Sequence, residues 1–210
     1  MDIEENKAAA DKALQQSIRK VAIPSGVLLG VILLVLGIFS FYFVVSIASS
    51  FWLIVSGPLL FGILVPLVIA VFFVLDLRKK IGGFWTLKQA TSGIFILFIV
   101  GNIVSTIGRD LLFAKVIEPQ MVEKMQNTMV NATTKFMEDQ NVEQTEIDKK
   151  IAEVEKGFDA QKDAGVAKYI QGVVISIIMT FVLALIFAAI FKREPPITLQ
   201  FDEAPEPQRY

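Results

Sequence analysis

Apolar residues in this chain gather in four blocks separated by polar stretches, at residues 21–47, 51–75, 90–107 and 169–191, the third with a continuation toward 116. A hydrocarbon layer about 30 Å thick is crossed by roughly 20 consecutive apolar residues in a helix, so each block is read as one membrane span. Lipid offers the backbone no hydrogen-bond partners, and a chain of such blocks must therefore be helical throughout the layer. The pattern predicts an all-α integral membrane protein: four transmembrane helices with an extramembrane helical hairpin between the third and fourth. The expected organisation is a polar segment at 1–20, three spans within 21–116, the hairpin at 117–168, the fourth span at 169–191 and a disordered, Pro-rich tail at 192–210.

The polar stretches give the direction of threading. Basic residues concentrate beside cytoplasmic span ends. Arg19-Lys20, Arg78-Lys79-Lys80 and Lys192-Arg193 adjoin three ends that share one side if there are four spans. The opposite side receives the uncharged turn at 46–50 and the hairpin, so both termini are expected in the cytoplasm and the hairpin outside. A cleavable signal is not expected, because residues 1–20 balance four acids with four bases and the apolar run after them is 27 residues long.

Within the spans, three patterns stand out. Gly26 and Gly30 share a Gly-x-x-x-Gly face, and Gly172, Ser176, Thr180, Ala184 and Ala188 place a small residue at every fourth position of the last span. Helices in lipid associate largely by close packing at such faces, and these two are expected to mate. Pro58 and Pro66 interrupt the second span, where each removes a backbone donor and favours a kink. In the third span Asn102, Ser105, Thr106 and Arg109 fall at i, i+3, i+4 and i+7 and so lie on one face. Polar groups at membrane depth point into a bundle, either as interhelical hydrogen bonds or as a functional lining.

The stretch after Glu118-Pro119 has a different rhythm. Val122, Met125, Met129 and Phe136 follow heptad-like spacing, and Ile147, Ile151, Val154 and Phe158 form a second stripe. Thr145 and Asp148 resemble a capping pair at the start of the second helix. Two amphipathic helices joined by a short polar link are expected to pack as a hairpin, with the first stripe as a candidate partner-contact seam. Between Arg109 and Tyr169 acids outnumber bases twelve to nine, a mixed solvated surface. A calcium loop beginning at Asp139 fails, because its sixth position is Gln144 and its twelfth Lys150.

Composition sharpens this picture mainly by exclusion. Hydrophobic residues make up 54% of the chain, with a mean hydropathy of +0.59, above the usual apolar share of a soluble domain. Net charge is −1, which assigns no nucleic-acid partner. Without Cys or His the chain cannot form disulfides, the common zinc and haem ligand sets, a Ser-His-Asp triad or a Cys nucleophile. No catalytic residue, metal ligand or cofactor is assigned.

The order Gly82-Gly83-Phe84-Trp85-Thr86-Leu87-Lys88-Gln89-Ala90, then Glu118-Pro119-Gln120-Met121-Val122-Glu123-Lys124, then a charged helical insert and a last span closing on Lys192-Arg193 is similar to a known family. It resembles the bacterial four-span membrane proteins grouped as a domain of unknown function, number four-one-nine-nine. The likeness covers residues 82–195, the first two spans match only in layout, and Glu118 stands where Asp or Asn is expected. The resemblance implies a bacterial inner-membrane protein and carries over no catalytic residue.

Three functional readings follow. The favoured one is a non-enzymatic membrane protein whose hairpin meets a second copy or a membrane or periplasmic protein. The second is a small oligomeric transporter or channel lined by the polar face of the third span, although no inverted repeat is visible. An intramembrane enzyme comes last, because acids occur only at span ends or in water and offer no buried carboxylate pair.

Overall fold

The computed structural model of the chain describes residues 3–48, 50–162 and 165–194, and nearly all of them are helical. Helix α1 (Ile3–Tyr42) runs unbroken from the polar N-terminal segment into the first apolar block and ends in a π-helical turn, Phe43–Ile47. The second block is α2 (Phe51–Leu59), a π-helical stretch Leu60–Leu64 and α3 (Val65–Lys80). That stretch lies between Pro58 and Pro66. Each proline lacks an N–H and crowds the preceding turn, so a wider turn between them lets the helix continue without a break. Helix α4 (Leu87–Ile107) passes at Gly108 into a third π-helical stretch, Gly108–Ile117. Then follow α5 (Met121–Asp139), α6 (Gln144–Lys162) and α7 (Val166–Phe191). Among the described residues four runs, Asp11–Ile47, Phe51–Lys80, Leu87–Ile117 and Ala167–Phe191, are long and apolar enough to cross a membrane. The expected disordered tail lies outside the described residues from 195 onward.

The helix ends have local causes. After α3 the chain turns through Gly82 and Gly83, both at positive φ (102° and 85°), a region glycine enters without a Cβ clash. The N–H of Gly83 bonds the carbonyl of Arg78 at 2.9 Å and that of Gly82 bonds Lys79 at 3.3 Å, the paired closure of a Schellman motif. Asn141, at φ 56°, closes α5 in the same way, with Val142 N–H on Met137 and Asn141 N–H on Glu138. Thr86 opens α4 with a reciprocal capping box to Gln89. Helix α6 begins at Gln144, so Thr145 lies inside its first turn, and Asp148 accepts a hydrogen bond from the Gln144 side chain at 2.8 Å.

Packing centres on α1 and α4, the most extensive helix pair. A Cβ added at Gly26 would lie 2.8 Å from the carbonyl oxygen of Leu97, and one at Gly30 would lie 2.7 Å from that of Gly101. The Gly-x-x-x-Gly face therefore mates with α4, replacing the expected partner α7. It does so because α4 brings its own glycine, Gly101, to the crossing. Helix α7 lies against α4 through the second half of its small-residue row: Thr180, Ala184 and Ala188 are buried, whereas Gly172 and Ser176 are exposed. Ile18, Val74, Leu77, Trp85, Ile94 and Leu97 form the tightest part of the core, all at the end of the bundle that carries the basic clusters.

Candidate functional site

That basic end is tied shut. The indole of Trp85, 1% exposed, donates to the carbonyl of Phe191 at 3.0 Å, and Arg78 reaches the same oxygen at 3.4 Å. The last carbonyls of a helix have no partner within it, so α7 is closed here by residues from α3 and the loop before α4. Trp85 and Arg193 exchange backbone hydrogen bonds at 2.8 and 3.3 Å, and the Arg193 guanidinium sits 5.3 Å over the ring of Phe84. Gln89 also donates to Asp11 at 3.1 Å, joining α4 to the start of α1.

The other end opens into a cavity of about 690 Å³ between α1, the second span, α4 and α7. Leu29, Leu33, Phe61, Leu67, Phe98 and Leu183 supply apolar wall. Polar atoms enter from one side. Asn102, Ser105 and Arg109 of the third span line it, joined by Ser40 and Thr180, while Thr106 is half-buried outside the lining. The Asn102 amide donates to Thr180 Oγ1 at 2.9 Å, and the Thr180 hydroxyl donates to the Ser176 carbonyl at 2.7 Å. These two hydrogen bonds couple α4 to α7. Arg109 stands nearer the mouth, its side chain 58% exposed, with Nε donating to Asp110 at 3.2 Å.

Helices α5 and α6 pack against each other beside the mouth. Met121, Val122 and Met125 of α5 and Phe158 of α6 complete the cavity lining. Phe136 stacks on Phe51 at 4.5 Å and meets Trp52 edge-on at 5.9 Å. The stripe of Val122, Met125, Met129 and Phe136 is thus half-buried, with Val122, Met125 and Phe136 engaged inside the chain. The face of α5–α6 that remains outside is charged. On that face the hydrogen bond from Lys150 to Glu153, 2.7 Å, and the ammonium charge hold the Glu153 carboxyl below its ordinary value.

Glu118 is the feature that spacing alone did not single out as more than punctuation. It is 9% exposed and accepts from Lys124 at 2.9 Å and from the Tyr42 hydroxyl at 3.4 Å. One carboxylate therefore binds the end of α1, the end of the third span and the start of α5. Phe113, 1% exposed, packs edge-on against Phe41 and Tyr42 beneath it. An acid beside a proline in an otherwise apolar stretch was the available signal. Among the described residues no three His, Cys, Asp or Glu side chains gather to hold a metal ion.

A family model described as a protein of unknown function (DUF4199) matches residues 24–193. No curated protein and no solved structure matches the chain.

Proposed function

The chain belongs to this family of unknown function, and on that premise we propose that it is a non-enzymatic protein of the bacterial inner membrane that holds α5–α6 outside the layer as an interaction platform. The termini are cytoplasmic in this reading. Its main support is the separation of the two ends: the basic clusters surround the Trp85 closure, while α5–α6 is fixed to the opposite end by Phe136 and Glu118. A segment tied down at both its start and its middle presents its charged face in a fixed attitude, which suits a second copy or a membrane or periplasmic partner better than a free tether does. The test is a photocrosslinking residue at exposed Lys149 or Glu146 in living cells. A discrete adduct with a second copy or with one membrane or periplasmic protein is expected. Recovery of monomer alone from both positions contradicts the platform.

A second reading, a small oligomeric transporter or channel, is favoured by one observation: Asn102, Ser105 and Arg109 all line the cavity. It requires the packed core around Leu77, Trp85 and Leu97 to open at the basic end. Flux through liposomes that falls when Asn102 and Arg109 are replaced by Ala supports a conduit. Unchanged flux removes it.

A further inference from the structure

The cavity is blind. At its inner end Ala70, Phe98 and Leu183 in the lining lie beside the buried core of Val74, Leu97 and Phe187, so its access lies toward the mouth and the side. The side has a natural opening. Every residue from 167 to 179 of α7 is exposed, and α7 leans on α3 and α4 rather than on α2 or α5–α6. The outer half of α7 therefore does not wall the cavity, which α7 lines only through Thr180 and Leu183, and this side is left toward the surrounding lipid.

The chemistry of the walls divides along the depth of the cavity. In the deep part Asn102 donates to Thr180 and Thr180 to the Ser176 carbonyl, and the walls around this pair are mostly apolar, so methylene groups can lie against them. Near the mouth Arg109 presents a planar fork of five N–H donors. Among the described residues Nε forms an ion pair with the neighbouring Asp110 carboxylate, and the two outer nitrogens make no further hydrogen bond or ion pair, so the fork keeps donors for a second anion. Such a fork matches the several oxygens of a phosphate. Glu118 does not compete for it, being held by Lys124 and Tyr42. A volume of about 690 Å³ has room for one acyl chain rather than a whole two-chain lipid, so the second chain stays in the bilayer.

We propose that this cavity is a site for one phospholipid of the surrounding bilayer, with an acyl chain against the apolar walls and the phosphate on Arg109. The site stands apart from the platform reading and survives or fails without it. The full-length chain, purified in detergent and stripped of lipid, is titrated with phosphatidylglycerol, with diacylglycerol of the same chains and with soluble glycerol phosphate. Native mass spectrometry counts the bound molecules. One phosphatidylglycerol per chain is expected to survive, with neither control retained. Arg109→Gln, at an exposed side chain, is expected to weaken retention about tenfold, the equivalent of one charge-assisted hydrogen bond. Gly37→Leu places a side chain in the cavity at a position with nothing within 4 Å, and is expected to abolish retention while the helical spectrum stays unchanged. Equal retention of diacylglycerol, no retained lipid, or lipid that persists unchanged in Gly37→Leu (a coat on the outer surface) each overturns the proposal.

Discussion

At the scale of single residues, the same residue type carries opposite costs at different places. Gly30 lies against a backbone oxygen of α4, which cannot swing aside, whereas Gly172 faces open space. Gly30→Ala is expected to destabilise the fold by about 1–3 kcal/mol in thermal unfolding in detergent, and Gly172→Ala to leave the midpoint unchanged. Trp85→Phe keeps the ring in the core but removes the donor to Phe191, leaving a helix-end carbonyl dependent on Arg78 alone; a loss of about 1 kcal/mol is expected in the same assay. The sequence showed that Gly26 and Gly30 form a close-packing face, because the spacing of small residues is local information. It did not show the partner. The small-residue row of α7 was the visible candidate, but the helix that packs there is α4, whose own backbone arrives nearest, through Gly101.

At the scale of elements, α5–α6 and the third span are where local pattern and tertiary context meet. The apolar stripes located both amphipathic helices, since each helix needed a face to bury. What buries the first stripe was not legible: Phe51, Trp52 and the cavity mouth are far away in sequence. Phe136→Ala removes the stack on Phe51 and is expected to raise hydrogen exchange across α5–α6 while α1 and α4 keep their protection; equal protection throughout contradicts this anchor. The polar face of the third span was legible as a periodicity. Its division between coupling and lining was not, because that depends on Thr180 seventy-eight positions away. A double-mutant cycle of Asn102→Ala with Thr180→Val is expected to give a coupling of about 0.6 kcal/mol, typical of interhelical bonds in lipid. A coupling near zero would place Asn102 in the lining alone. The π-helical stretches had a partial signal, with two prolines flanking one of them and Gly108 opening another.

At the scale of the whole molecule, one end is locked and the other holds a void. The locked end brings α3, the loop before α4 and α7 together at a single carbonyl, that of Phe191, and carries the three basic clusters. The open end is spanned by aromatic contacts and by Glu118, and holds the cavity that the second span, α4 and the Thr180–Leu183 part of α7 line. The end that takes the basic residues is the solid one, and α5–α6 covers the other. The chain contains no Cys, so single cysteines report on sidedness without background. Asn141→Cys in the turn between α5 and α6 and Gln16→Cys in the polar part of α1 are both exposed positions. With a membrane-impermeant maleimide on intact cells, a topology with cytoplasmic termini and α5–α6 outside predicts labelling at position 141 without lysis and at position 16 only after permeabilisation. Labelling at 16 in intact cells, or protection of 141 until lysis, would contradict it.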